Sequence, residues 1–265
     1  MISVVIRNKN ESQYLKKVLH ILDTLYKEDI DEIILVDNLS TDNSVDIAKK
    51  YQCKIVSITN FTYGRAINLG IEAANNNYIL LLSAHTIPIG NHFFKSTLAF
   101  LKTKKDVAGL RYINSFNNYE RALKNNFTVK DPLKFGLMAA CCIVVKSVWQ
   151  QHKVNEELGF SEDKEWSHRV INDGFKIYDF NETFFYFINR SKASLINRHK
   201  NETLANHLLF NTKPPSRIKV LLSLIKKIVF TNTKTYFSLI NTDIKRAHSM
   251  FKVIKTFNKT TKYGN

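Results

Sequence analysis

The sequence predicts an α/β protein with a mostly parallel sheet flanked by helices, followed by a basic helical extension. In the first part of the chain, short apolar runs alternate with segments of helical periodicity. The runs are apolar on both faces, as expected of parallel strands covered by helices. Hydrophobic residues make up 44% of the 265 residues, which is enough for a substantial core. We therefore expect one main domain with an appendage.

The elements can be placed in order along the chain. Strands are predicted from unbroken apolar runs, and helices from apolar residues three or four positions apart, as in Leu15, Val18 and Leu22. Predicted strands lie at 2–6, 32–37, 54–58, 78–82, 107–113, 141–145 and 175–180, and predicted helices at 11–26, 42–51, 64–75, 91–102 and within 160–174. Ligands of such sheets bind beyond the carboxyl ends of the strands, where this sequence has polar residues.

The positive charge is concentrated near the C-terminal end. The net charge is +16, and residues 190–265 contain most of the excess of Lys and Arg. Such a segment favours phosphate-rich partners, namely anionic lipid, nucleic acid or a charged substrate. Because no helix-turn-helix, zinc-finger or RNA-binding motif accompanies the charge, we expect no nucleic-acid partner.

Helices are also predicted at 218–230 and 243–257, where lysines punctuate strongly apolar stretches. Three interpretations of residues 214–265 stay open. The region binds an anionic membrane surface, packs on the main domain, or forms a contact between copies of the chain in an oligomer.

The cysteines and the N-terminus predict a cytoplasmic protein. Cys53, Cys141 and Cys142 show no CxxC or Cys/His metal spacing, which favours a reducing compartment. The strand-like start lacks the pattern of a signal peptide, and no uncharged apolar run reaches the roughly 20 residues of a membrane span. A peripheral position at the inner face of the cytoplasmic membrane is the alternative.

Five segments, taken in order, resemble the inverting family 2 glycosyltransferases, which have a GT-A type nucleotide-sugar domain. They are ISVVIRNKNE (2–11), EIILVDNLSTDNSVDIAKKY (32–51), YGRAINLGIEAANNNYILLLSAHTIP (63–88), GLMAACCIVVKSVW (136–149) and EDKEWSHRVINDGFKIYDF (162–180). The resemblance implies a GT-A type, Rossmann-like catalytic domain at 1–189. Its nucleotide-binding half would lie at about 1–105 and its acceptor half at about 106–189, with a basic, mainly helical region at 190–265.

The resemblance implies that Asp37 accepts the N3–H of a uracil or thymine ring. Asn8 and Glu11 would surround the base and ribose, and Arg7 stands where many relatives have Pro. Asn38 and Ser40 complete the same nucleotide-binding turn. From the residues alone, this turn also fits a strand-to-helix connection in which Ser40 or its neighbour caps the next helix.

The resemblance implies that the helix in the segment YGRAINLGIEAA, which begins at residue 63, faces the diphosphate of the nucleotide. Asn68 is the expected nucleotide contact. Arg65 either reaches a phosphate from the start of its helix, where anions are favoured, or is a surface residue. Further along the chain, Arg190, Arg198, His199 and His207 are also candidates for contact with the diphosphate.

The sequence Ser83-Ala84-His85 replaces the acidic motif with which the family holds a divalent cation. We expect Ser83 and Ala84 beside the nucleotide. His85 either binds Mn²⁺ or Mg²⁺ together with diphosphate oxygens, donates a hydrogen bond to the diphosphate or sugar, or is an inert residue at a strand end. Imidazole suits Mn²⁺ better than Mg²⁺, and the need for a metal stays open.

The acidic pair Glu162-Asp163 matches the position at which the family carries its catalytic base. The resemblance assigns Asp163 as the base, with Glu162 as the second choice, and places Ala139, Ala140 and Trp166 at the donor and acceptor sugars. From the residues alone, two acids at a helix start are also favoured by the helix dipole.

The implied function is sugar transfer, with inversion, from a nucleotide-diphosphate sugar to a hydroxyl of a glycan or lipid-linked glycan. UDP-sugars are the expected donors and dTDP-rhamnose the alternative. The setting would be synthesis of a bacterial surface polysaccharide such as capsule or lipopolysaccharide. The competing hypothesis is an inactive module that binds nucleotide sugars, which the altered motif at 83–85 favours and the intact acidic pair opposes.

Overall fold

The computed structural model describes residues 1–187 and 191–260, with side chains as far as residue 256. The chain forms two compact units, Met1–Thr212 and Lys213–Asn265. The domain boundary expected between residues 189 and 190 lies outside the described residues, and the first unit continues past it to Thr212.

The first unit contains a seven-stranded sheet with the strand order β3-β2-β1-β4-β7-β6-β8. Its strands are β1 (Ile2–Asn8), β2 (Ile30–Asp37), β3 (Lys54–Ser57), β4 (Tyr78–Ser83), β6 (Val107–Tyr112), β7 (Cys141–Val145) and β8 (Lys176–Phe180). Strands β1 to β4 pair in parallel, and only β7 runs antiparallel to its neighbours β4 and β6. The predicted α/β class with a mostly parallel sheet is confirmed, and all seven predicted strands are present.

Nine helices surround or follow this sheet within the described part of the first unit. They are α1 (Ser12–Leu25), α2 (Ser44–Lys50), α3 (Tyr63–Ala73), α4 (Phe93–Lys102), α5 (Phe116–Lys124), α6 (Pro132–Phe135), α7 (Lys146–Gln151), α8 (Glu162–Asn172) and α9 (Lys192–Leu209). The sequence did not predict the second sheet, formed by β5 (Thr86–Ile89) and β9 (Thr183–Tyr186). Both strands have only four residues, and Pro88 weakens the strand signal of β5.

The core lies between the sheet and its helices, as the periodicity predicts. The apolar stripe of α1 buries Leu15, Val18 and Leu22. Helix α3 packs closely on the sheet at Gly70, where an added Cβ would lie 2.3 Å from the Val5 side chain. A larger residue at this position would push α3 away from β1 and disturb the site beyond the strand ends.

The strand register brings the candidate residues to one edge of the sheet. Asn8 pairs with Asp37, and Arg7 pairs with Ser83. Because β7 is antiparallel to β4, its beginning, rather than its end, lies at this edge, and the Ser83 N–H donates to the Ala140 carbonyl at 2.9 Å. Three polar strand ends and the small residues before β7 therefore meet at one place.

The second unit consists of α10 (Arg217–Lys226), a π-helical segment (Lys227–Asn232) and α11 (Thr233–Thr260). The helices predicted at 218–230 and 243–257 are confirmed. Every described side chain from 213 to 256 is exposed, including many large apolar ones. None of the described helices combines the length and the apolar character that crossing a membrane requires.

Candidate active site

A cavity of about 720 Å³ lies at the carboxyl edge of the parallel strands. This volume is in the usual range for a small-molecule site. Ten of the predicted site residues line it: Arg7, Asn8, Glu11, Asn38, Ser83, His85, Ala139, Ala140, Glu162 and Asp163. The strand ends predicted to bind a nucleotide and the predicted acidic pair therefore share one cavity.

Six other predicted site residues do not line this cavity. They are Asp37, Ser40, Arg65, Asn68, Ala84 and Trp166. Ala84 and Trp166 are each 1% exposed, and the Trp166 indole N–H donates to the His152 carbonyl. Both are core residues. Trp166 is one of the buried residues of α8, so it packs in the core and does not make the sugar contact predicted for it.

Asp37 acts behind the cavity wall. Its carboxylate accepts hydrogen bonds from Asn8 Nδ2 at 2.9 Å, from Ser40 Oγ at 2.6 Å and from the Ser40 N–H at 2.8 Å. Asn8 is the cavity-lining member of this network, and its buried Oδ1 has no hydrogen-bond partner among the described residues. Asp37 therefore orients Asn8, and the direct contact with the base predicted for Asp37 stays a prediction. Ser40 does not cap a helix, because α2 begins only at Ser44.

The hydrogen bonds of the Asn68 carboxamide oppose the nucleotide contact predicted for this residue, because all of them go to groups outside the cavity. Nδ2 donates to the Val154 carbonyl and to Glu156 Oε1, both at 2.8 Å. Oδ1 accepts from Trp149 Nε1 at 2.9 Å and from the Val154 N–H at 3.0 Å. The residue therefore ties α3 to α7 and the segment after it. Arg65 contributes its backbone N–H to the Thr62 cap of α3, and its side chain does not line the cavity.

Asp163 is held at the cavity wall by backbone donors. Its Oδ2 accepts from the Ala139 N–H and its Oδ1 from the Lys164 N–H, each at 2.9 Å. Ser167 Oγ donates to the Asp163 carbonyl at 2.6 Å and fixes the first turn of α8. The carboxylate is thereby oriented beside the small residues that precede β7.

Glu162 lies deeper than Asp163 and is 6% exposed. Burial and the neighbouring Asp163 raise the pKa of Glu162 to about 7, against the opposing effect of Arg7. The Arg7 Nη1 lies 3.8 Å from Glu162 Oε1, and its Nη2 donates to the Ala139 carbonyl at 2.8 Å. Arg7 therefore links the end of β1 to Glu162 and to the backbone of Ala139.

His85 is surrounded by polar and aromatic partners. Its Nε2 lies 3.1 Å from Ser83 Oγ, and its Nδ1 lies 3.8 Å from Glu11 Oε1. The ring stacks on Tyr186 with 5.2 Å between centroids. These contacts fix the imidazole in the cavity, where it can meet a bound anion or cation.

The donor set for a divalent cation is small. No group of three or more His, Cys, Asp or Glu suited to a metal ion occurs within the described ranges. Glu11 and His85 offer one carboxylate and one imidazole, which together suit Mn²⁺ better than Mg²⁺. The pair fits a cation whose remaining ligands come from a diphosphate and water.

Several cavity residues were not predicted from the sequence. They are Lys9, Phe61, Tyr63, Arg111, Lys134, Phe160, Lys164 and Tyr186. Arg198, one of several late candidates, lines the cavity and lies 5.4 Å from the Phe160 ring centroid. His199 and His207 do not line it, and Arg190 lies outside the described residues. Lys9, Tyr63 and Lys164 lie within the segments that resemble the family, whereas Arg111, Lys134 and Tyr186 lie outside them and reach the cavity only through the fold.

Comparison with known families identifies the class of the protein. Residues 3–170 match the family model described as "Glycosyl transferase family 2". This match covers more than half of the chain, so the protein belongs to glycosyl transferase family 2. The predicted family and enzyme class are thereby confirmed at the level of the family.

Individual relatives are more distant. The chain is 27% identical over 125 residues to a dolichyl N-acetyl-alpha-D-glucosaminyl phosphate 3-beta-D-2,3-diacetamido-2,3-dideoxy-beta-D-glucuronosyltransferase from Methanococcus voltae. That match covers 44% of this chain and 39% of the relative, so the chain spans less than half of that protein's length.

Two solved structures share the fold at low identity. A mannosyltransferase from Pyrobaculum calidifontis, in complex with GDP-Man and Mn²⁺, is 11% identical with a TM-score of 0.64, over 81% of this chain and 65% of that one. Glucosyl-3-phosphoglycerate synthase from Mycobacterium tuberculosis, in complex with Mn²⁺ and UDP-glucose, is 16% identical with a TM-score of 0.61. This match covers 81% of this chain and 80% of that one. These likenesses confirm the predicted GT-A type fold.

Proposed function

We propose that this protein transfers a sugar from a nucleotide-diphosphate sugar to a hydroxyl of a glycan or lipid-linked glycan, with inversion. One observation carries the proposal: a single cavity contains both the strand ends that bind nucleotides in this family and the Asp163 carboxylate. UDP-sugars are the favoured donors, with dTDP-rhamnose as the alternative. The two solved structures described above are complexes with GDP-Man and UDP-glucose, which supports a nucleotide-sugar donor in general.

Asp163 is the proposed general base. It takes the proton of the acceptor hydroxyl while that oxygen attacks the anomeric carbon from the face opposite the nucleotide. The bond from the anomeric carbon to the phosphate oxygen breaks, and the diphosphate leaves with the electron pair. The two backbone N–H groups on Asp163 orient its carboxylate for this step.

On the donor side, Asn8 and Asn38 flank the base, and Asp37 acts through Asn8. Glu11 and His85 are the residues that would hold a divalent cation, which would offset the charge of the leaving diphosphate. Ser83 and Ala140 complete the wall on this side.

The test replaces Asp163 with Asn in the full-length chain. We expect kcat to fall by about 10²- to 10⁴-fold, because a positioned base contributes about that much. The Kd for UDP, measured calorimetrically, should stay within about threefold of the wild-type value because the base does not hold the nucleotide. Asp173→Asn, at the other end of α8 and more exposed, is the matched control and should keep wild-type turnover.

The outcomes separate the hypotheses. Unchanged turnover of Asp163→Asn would remove Asp163 from the mechanism. A wild-type chain that binds a nucleotide sugar but transfers from none of UDP-, GDP- and dTDP-sugars would support the inactive module instead.

We further propose that the second unit binds an anionic membrane surface, at the inner face of the cytoplasmic membrane. Within residues 213–256, ten Lys or Arg accompany a single acid, Asp243. Apolar side chains such as Leu221, Leu224 and Phe230 are more than half exposed in the same helices. An amphipathic helix with this composition binds anionic lipid through both its charge and its apolar face.

A further inference from the structure

One wall of the cavity carries more positive charge than its acidic groups balance. The cluster consists of Arg111 on β6, Arg121 on α5, Lys134 on α6 and Asp179 on β8. Arg111 and Asp179 are neighbours in the parallel register of their strands. Among these residues, Arg111 and Lys134 line the cavity that also contains Asp163.

Arg121 binds both oxygens of the buried Asp179 carboxylate. Its Nη1 lies 2.8 Å from Asp179 Oδ2, and its Nη2 lies 2.5 Å from Oδ1. This is the two-bond geometry in which a guanidinium binds a carboxylate most strongly. The Arg121–Asp179 pair therefore joins α5 to β8.

Arg111 is left with weaker partners. Its Nη1 reaches Asp179 Oδ1 and its Nη2 reaches Asn118 Oδ1, both at 3.3 Å. Its Nε is buried and has no hydrogen-bond partner among the described residues. Burial, followed by the neighbouring Arg121, lowers the pKa of the Arg111 guanidinium, against the opposing effects of Asp179 and Asp163. A buried charge that shares its counter-ion with a second guanidinium is unfavourable unless another anion approaches it.

Lys134 adds a second charge at the same wall. Its ammonium lies 5.0 Å from the Phe135 ring centroid, and the Arg121 guanidinium lies 4.7 Å from the same centroid. Arg111 and Arg121 thus share the Asp179 carboxylate, and Lys134 adds a third cation to the same wall. Their excess charge faces the side of the cavity where Asp163 meets the acceptor in the proposed mechanism.

We propose that Arg111 and Lys134 form a subsite for an anionic group, a phosphate or a carboxylate, carried by the acceptor substrate. The acceptor is therefore a phosphorylated or acidic sugar, or a glycan linked through phosphate to a lipid, rather than a neutral sugar. This inference rests on the proposed function, because only a transferase has an acceptor at this place. The same chemistry could instead serve the donor diphosphate, so the experiment must separate the two sources.

The experiment follows inorganic phosphate by ³¹P NMR line broadening with the full-length chain, in the absence and presence of saturating UDP. We expect the wild-type chain to bind phosphate in both conditions. Arg111→Gln and Lys134→Gln should each weaken phosphate binding by about tenfold, the effect of losing one charged hydrogen bond. The Kd for UDP should change by less than about twofold in these variants.

One control variant and one fallback variant keep the test decisive. Lys124→Gln removes an exposed charge from α5 that does not line the cavity, and it should bind phosphate like the wild type. If the buried Arg111 variant fails to fold, the exposed Lys134 variant decides alone.

Three results would contradict the subsite, its assignment to the acceptor, or the proposed function. Phosphate binding that is equal in wild type and Lys134→Gln would refute the subsite. Displacement of phosphate by UDP would assign the cluster to the donor diphosphate instead of the acceptor. Failure of the wild type to bind UDP, GDP or dTDP would refute the proposed function, while the phosphate measurement would still report on the cluster.

Discussion

At the scale of single residues, the acidic wall contains two carboxylates in different surroundings. Asp163 accepts two backbone hydrogen bonds, which hold its carboxylate in one orientation. Glu162 is buried beside Asp163, and its Oε1 lies 3.8 Å from the Arg7 Nη1. Neighbouring acids in unlike environments can take different roles, and we propose Asp163 as the base and Glu162 as its partner.

The raised pKa of Glu162 predicts a pH dependence of stability. This pKa is about 7 in the folded chain and ordinarily 4.5. At pH values between the two, the folded chain therefore binds more protons than the unfolded chain does. This contribution to stability is complete below the ordinary pKa and is lost as the pH rises to about 7. Relative to Glu162→Gln, the wild-type free energy of unfolding should fall by up to about 1.4 kcal/mol per pH unit across this window.

Urea-induced unfolding of both proteins at several pH values measures this difference. Glu165→Gln, in the same helical turn and paired with Arg169, is the control and should keep the wild-type dependence. If the stabilities of wild type and Glu162→Gln stay parallel with pH, then Glu162 titrates at the same pH in the folded and unfolded chains.

At the scale of elements, the site depends on how helices are joined behind it. Asn68 bonds to Trp149 and Val154 and so connects α3 to α7 and its following segment. Asn68→Ala should lower the free energy of unfolding by about 2–4 kcal/mol, because it leaves several buried polar groups without partners. The Kd for UDP should stay near the wild-type value, because the carboxamide does not face the cavity.

Denaturant unfolding and calorimetric titration with UDP together check this prediction. Asn172→Ala, at the exposed end of α8, is the matched control and should cost little stability. A variant that keeps wild-type stability but loses UDP binding would restore the nucleotide contact first predicted for Asn68.

At the scale of the whole molecule, charge and apolar surface coincide in the second unit. Replacing Lys219, Lys226 and Lys227 with Gln in the full-length chain should weaken binding to phosphatidylglycerol vesicles by roughly 10²-fold, since each lysine near an anionic surface contributes about 1 kcal/mol. Vesicle co-sedimentation over a range of salt concentrations measures the loss.

The control is the triple variant Lys16→Gln, Lys17→Gln and Lys95→Gln, which removes three exposed lysines from the first unit. It should bind vesicles like the wild type. Equal binding to neutral phosphatidylcholine vesicles would contradict the electrostatic part of the proposal. Self-association in solution without vesicle binding would favour the oligomer.

The sequence by itself determined those features that depend on residues close together in the chain. Apolar periodicity predicted the strand and helix order, and short motifs around Asp37, Ser83 and Asp163 predicted the family. These signals are readable because each depends on residues close together in the chain. Polar residues at strand ends were correctly expected to meet, since parallel strands share one carboxyl edge.

Only the tertiary structure decided which side chains face the cavity. The motif around Asn68 gave no sign that Trp149 and Val154, about eighty positions later, would occupy its carboxamide. The cavity wall of Arg111 and Lys134 depends likewise on contacts between β6, β8, α5 and α6. The direction of a side chain is set by the partners packed against it, and those partners come from distant parts of the chain.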